Sequence, residues 1–101
     1  MVRLISELSE IPTNKKVVLD FFADWCGPCR TIAPKFVELE SEFKTIEFLK
    51  VNIDDSAEIA ERFAIKAMPT FVFIKNGKVL GSVEGADLKK IIATLEALEV
   101  A

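Results

Sequence analysis

Short, nearly continuous apolar runs alternate along this chain with longer stretches in which apolar residues recur every three or four positions. Val17 to Phe22 is apolar except for Asp20, which predicts a strand covered on both faces. Ile46 to Ile53 predicts a second such strand. Between them, Ile32, Phe36, Leu39 and Phe43 sit at helical spacing while Lys35, Glu38 and Glu42 fall on the opposite side. That predicts a helix over Cys26 to Phe43. Pro34 lies inside it and is expected to kink it, because it removes an amide donor and crowds the preceding turn.

The remaining elements are shorter. Arg3 to Ile5 reads as a brief first strand, and Ser6 to Ile11 as a short helix ending near Pro12. Asp55, followed three residues on by Glu58, predicts the start of a helix with Ile59 and Phe63 on its apolar side. Thr70 to Lys75 and Lys78 to Val83 predict strands joined by Asn76-Gly77, a two-residue hairpin signal. Leu88, Ile91, Ile92 and Leu95 mark a final amphipathic helix. The order β-α-β-α-β-α-β-β-α implies an α/β fold. Its central sheet is mixed, of about five strands, with about four helices shared between both faces.

With 101 residues, eight of them Phe, the chain holds enough apolar material for one core and is expected to form a single domain over residues 1–101. The net charge of −3 comes from interspersed signs. It offers no basic stripe for nucleic acid and no attraction to anionic membranes. No segment approaches the ~20 apolar residues of a membrane span. Met1 to Pro12 lacks the basic and apolar regions of a secretory leader, so a cytoplasmic, monomeric protein is expected.

Only two cysteines are present, Cys26 and Cys29, and there is no histidine. They follow the Val17–Phe22 strand and open a helix, a context in which Cys-x-x-Cys signals redox chemistry. Residues three apart on a helical turn lie roughly 5–6 Å apart at Cβ, so a disulfide closes with little movement. Its loop is so small that it stabilises the fold by only about 2 kcal/mol. It suits a switch better than a staple. The helix N-terminus would stabilise a thiolate at Cys26. Cys26 is therefore expected to attack and Cys29, one turn inside, to resolve.

With no histidine available, Asp20 is the candidate to take the proton from Cys29. Strand alternation places it on one face with Val18 and Phe22, and burial would raise its pKa toward neutrality. Lys50, in the neighbouring apolar strand, is its candidate partner. Trp25, the only tryptophan, abuts the nucleophile in a turn and is expected to be partly exposed. Met68-Pro69-Thr70 precedes a strand, where a cis proline would present backbone to an incoming peptide.

Each feature has a competing reading. The cysteines could form half of a metal knuckle shared between two chains, since structural zinc wants four ligands. Asp20 could be a solvated edge-strand carboxylate, Lys50 a snorkelling lysine, Trp25 a core aromatic and Pro69 an ordinary trans proline.

Trp25-Cys26-Gly27-Pro28-Cys29 resembles the active-site motif of the thioredoxin family. The resemblance extends through Asp20-Phe21-Phe22-Ala23, Pro34, Lys50-Val51-Asn52-Ile53-Asp54, Met68-Pro69-Thr70-Phe71, Lys75-Asn76-Gly77 and Gly85. It implies a general protein-disulfide reductase and electron carrier that takes part in cell redox homeostasis and binds no cofactor. NADPH would be used indirectly, through thioredoxin reductase. Implied clients are peroxiredoxins, ribonucleotide reductase and methionine sulfoxide reductases. By the same resemblance Pro69 is cis beside the disulfide, Asp20 is the buried proton acceptor, and Gly27-Pro28 tunes the redox potential. Trp25, Met68, Pro69, Thr70 and Gly85 would face the substrate. Phe22 departs from the pattern, standing where many members carry a second tryptophan. The alternative function is a non-catalytic binding module that holds a partner through the Trp25, Met68 and Gly85 surface. An oxidant or isomerase of the same fold is disfavoured, because such relatives usually carry histidine between the cysteines.

Overall fold

The computed structural model describes residues 1–101. Five strands, β1 (Arg3–Leu4), β2 (Lys16–Phe22), β3 (Ile46–Asn52), β4 (Thr70–Lys75) and β5 (Lys78–Glu84), form one sheet in the order β1-β3-β2-β4-β5. β1, β3 and β2 run parallel, whereas β4 pairs antiparallel with β2 and β5 antiparallel with β4. Asn76 and Gly77 both have positive φ at the β4–β5 turn, the conformation that the hairpin signal requires.

Alternation sorts the sheet residues onto two cores. Val17, Leu19 and Phe21 join Leu49, Val51, Val72 and Ile74 on one face. Val18, Phe48, Phe71 and Phe73 point to the other. There they meet Ile32, Phe36, Leu39 and Phe43 from α1 (Gly27–Glu42) and its cap, and Ile91, Leu95 and Leu98 from α3 (Leu88–Glu99). The Phe36 ring packs on Phe48 and Phe71 at centroid distances of 4.9 and 5.4 Å. α2 (Ala57–Arg62) covers the first face through Ile59, with the Phe63 ring tilted at 52° to that of Phe21 and 5.6 Å from it. No helix is long and apolar enough to cross a membrane.

Several expectations need correction. There are three α-helices rather than four. The segment expected to be a first helix forms only a 3₁₀ turn over Leu8–Glu10. Its one turn is closed by the Ile11 amide donating to the Leu8 carbonyl at 3.0 Å, and the backbone is extended again at Ile11. The Glu10 carboxylate also holds the turn, accepting the Ser6 and Glu7 amides at 3.0 and 3.1 Å. Those bonds set its pKa below the ordinary value. The N-cap of α2 is Ser56 rather than Asp55, and its side chain makes no capping bond. Pro34 lies inside α1, as expected, and the helix runs on past it to Glu42.

α2 ends in a feature with a measurable consequence. Ala64 donates to the Glu61 carbonyl and Ile65 to the Ala60 carbonyl, both at 3.0 Å. This is the Schellman pattern, in which the left-handed residue is usually glycine. Here it is Ala64, at φ 53°. Ala64→Gly removes the Cβ clash and loses part of the gain to unfolded-chain entropy, so a net stabilisation of about 0.5–1 kcal/mol is expected. A lower urea midpoint for the variant would contradict this account.

Candidate active site

The site is assembled where β2 and β3 end and β4 begins. β2 delivers Phe22 and Ala23, and the Cys26 amide donates to the Ala23 carbonyl at 3.2 Å. Cys26 is the N-cap of α1, with Gly27 and Pro28 as its first two helical residues. Proline fits there because its missing amide would have had no partner in the helix. Beyond its chain neighbours and the backbone of its own helix, nothing lies within 4 Å of where a Cβ on Gly27 would sit.

Cys26 and Cys29 form a disulfide with Cα atoms 5.3 Å apart. Cys26 Sγ also accepts the Cys29 amide at 3.2 Å. The attacking sulfur expected from the sequence thus occupies the cap of a 16-residue helix, where unpaired amides converge. Both cysteines are only 5% exposed and pack with Ala23, Phe22, Ile53 and Met68.

Asp20 is buried, at 5% exposure, on the face shared by Val18 and Phe22. Its Oδ1 has no hydrogen-bond partner. Burial pushes its pKa up to about 7, and the nearby Lys50 charge pulls in the opposite direction. Lys50 is the cross-strand neighbour of Asp20 in the parallel β2–β3 register. It forms no ion pair with the carboxylate. Its ammonium lies instead 5.9 Å from the centre of the Phe22 ring, so its influence on Asp20 is through-space.

Trp25 is 66% exposed. Met68–Pro69 is a cis peptide bond, and Met68 packs against the cystine cluster. Gly85, at φ 92°, donates its amide to the Pro69 carbonyl at 2.7 Å. This joins two of the expected substrate-facing residues across the β4–β5 edge. Thr70 follows directly at the start of β4. It is buried, and its hydroxyl donates to the Ala67 carbonyl at 2.6 Å. No group of three or more His, Cys, Asp or Glu is placed to hold a metal ion.

One contact has no forerunner in the sequence reading. The Trp25 indole N–H donates to Asp54 Oδ2 at 3.0 Å. Asp54 falls within the Lys50–Asp54 stretch of the family resemblance, but its indole partner lies 29 residues away in the chain.

A redox-active cystine at a helix cap, beside a cis-proline loop and under a mixed five-stranded sheet, defines a dithiol–disulfide exchange protein. The comparisons agree. The thioredoxin family model matches residues 6–97. A thioredoxin H-type from Picea mariana is 49% identical over 96 residues, covering 91% of this chain and 77% of its own. The crystal structure of Malassezia sympodialis thioredoxin superposes with a TM-score of 0.91 at 38% identity, covering 98% of this chain and 91% of that one. A chain from a structure concerning thiol resolution in a yeast mitochondrial 1-Cys peroxiredoxin by the glutathione and thioredoxin systems gives a TM-score of 0.90 at 32% identity. It covers 95% of this chain and 94% of its own. The chain belongs to the thioredoxin family, and it is a protein-disulfide oxidoreductase acting through Cys26 and Cys29.

Proposed function

We propose that the chain is a cytoplasmic electron carrier in which Cys26 attacks, Cys29 resolves and Asp20 handles the proton. The observation that carries this reading is the Cys26 sulfur at the cap of α1, accepting the Cys29 amide. In the reduced form the Cys26 thiolate attacks a client disulfide. A Cys26–client bond forms, the client S–S bond breaks, and the departing sulfur takes a proton. Cys29 then gives its proton to the Asp20 carboxylate and attacks Cys26 Sγ. The mixed disulfide breaks, the protein cystine closes, and the client leaves as a dithiol carrying two electrons. A carboxyl titrating near 7 is matched to accepting and returning a proton at neutral pH.

Gly27-Pro28 sets the redox potential in this scheme, and Trp25, Met68, Pro69 and Gly85 form the client-facing rim. Thr70 contributes through its backbone. Lys50 modulates Asp20 by its charge. Electrons come from NADPH through thioredoxin reductase. The clients are disulfide-bearing proteins of the peroxiredoxin, ribonucleotide reductase and methionine sulfoxide reductase kinds, a choice supported for the first by the peroxiredoxin context of one structural neighbour. A dithiol that must be kept reduced needs a reducing compartment, which supports the cytoplasm. The site is complete within one chain, which supports a monomer, and one sheet with helices on both faces supports a single domain over residues 1–101.

The test is insulin reduction coupled to NADPH oxidation in the presence of thioredoxin reductase. NADPH consumption that depends on this protein is expected. If insulin stays intact while reductase and NADPH are active on a control thioredoxin, the carrier reading fails.

A further inference from the structure

We propose that Asp54 is a positioning residue that holds the Trp25 indole as a preformed docking plate, and so favours protein clients over small disulfides. The proposal deepens the client-facing role given to Trp25 and rests on that reading. An indole that is 66% exposed has little packing to fix it, and its order must come from elsewhere. It comes from two β–α connections. On the β2–α1 side, the Asp24 carbonyl accepts Arg30 Nη1 at 2.7 Å, and the Cys26 amide is tied to Ala23. The backbone on either side of Trp25 is therefore fixed.

On the β3–α2 side, Asp54 is itself anchored. Its amide donates to Asn52 Oδ1 at 2.9 Å, and Asn52 is buried. The Asn52 carbonyl accepts the Asp55 and Ser56 amides at 3.2 and 2.9 Å. The Ile53 amide donates to the Phe22 carbonyl at 2.9 Å, locking the two connections together. The bond from Trp25 Nε1 to Asp54 Oδ2 is then the contact that sets where the ring lies on a hydrogen-bonded frame.

A plate held in place before binding spares a client the entropy of ordering it. That saving reaches only a partner large enough to rest an apolar or aromatic side chain on the ring while its disulfide meets Cys26. A small disulfide reaches the sulfur without touching the plate.

The test compares second-order rate constants of the pre-reduced protein with insulin and with 5,5′-dithiobis(2-nitrobenzoic acid). Asp54→Ala is expected to slow insulin reduction about fivefold to tenfold, the scale of one hydrogen bond, and to slow the small disulfide at least about threefold less than that. Asp54→Asn keeps a carbonyl acceptor for the indole and is expected to recover most of the loss. Asp55→Ala, which removes a neighbouring carboxylate that makes no bond to Trp25, serves as the control for charge. Trp25 is the only tryptophan, so its fluorescence anisotropy should fall in Asp54→Ala and return in Asp54→Asn. Equal slowing of both disulfides, equal effects of Asn and Ala at position 54, or unchanged anisotropy would each overturn the proposal. Failure of the unaltered protein to reduce either disulfide would overturn the underlying reading instead.

Discussion

Cys26→Ser is expected to abolish disulfide reduction, lowering turnover by roughly a thousandfold or more, as loss of an attacking group does. Cys29→Ser is expected to fail differently. It still attacks once and then stops as a mixed disulfide, because nothing remains to resolve it. The asymmetry follows from position. Cys26 caps α1 and its sulfur receives a helix amide, whereas Cys29 lies within the first turn and donates that amide. Intact-mass analysis of Cys29→Ser after exposure to an oxidised client should show a covalent adduct that dithiothreitol releases, and Cys26→Ser should show none. The reverse outcome, with adducts on Cys26→Ser only, would mean that the polarity of the pair has been assigned backwards.

The second large effect concerns Asp20. Its carboxyl titrates near 7 in the folded, oxidised protein, against an ordinary value of 3.8. The raised value means that the folded state holds a proton that the unfolded chain has already released. Stability is therefore full below about pH 3.8 and declines as pH rises toward 7. Above 7 the folded protein carries the whole cost of a buried, ionised carboxylate. At about 1.4 kcal/mol per pH unit, that cost approaches about 4 kcal/mol. Asp20→Asn does not ionise. Its stability relative to the unaltered protein should therefore grow by about 4 kcal/mol between pH 4 and pH 8, as read from denaturant melts of the oxidised forms. A gain independent of pH would show that Asp20 is not ionised at a cost. The same variant should resolve mixed disulfides more slowly, since the proposed proton acceptor is gone. Stability and turnover then move in opposite directions at one residue, as is common where a site holds a strained or costly group.

Asp20 also shows what the sequence made legible. A lone acid in the run Val17 to Phe22 has its facing fixed by alternation, and its neighbour Lys50 follows from pairing two apolar strands. The Cys26–Cys29 interval placed both sulfurs on one helical turn. What stayed illegible depends on contacts between distant segments or on backbone states that the residue type does not announce. Asp54 meets Trp25 only because β2 and β3 lie side by side. Ala64 takes a left-handed conformation in which glycine is the usual occupant. Pro69 is cis, which the family resemblance implied and the residues alone did not. The short segment after β1 closes as a single 3₁₀ turn held by the Glu10 carboxylate, a local side-chain contact that its apolar positions do not announce.

The parallel arrangement of β1, β3 and β2 has a consequence for how the protein can be attached to something else. β1 runs parallel to β3 and enters it at Leu49, so the residues before Arg3 point back toward the start of β3, and the Met1 amino group pairs with Glu40 near the end of α1. At the other terminus, Lys16 at the start of β2 donates to the Glu99 carbonyl at 2.6 Å. Residues 1 and 101 thus lie at the rear of the sheet, opposite the edge where the disulfide opens. A tether, a resin or a second polypeptide joined at either end, or a host loop joined at both, would leave the reactive edge facing outward. The layout suits grafting, insertion and immobilisation without redesign of the site.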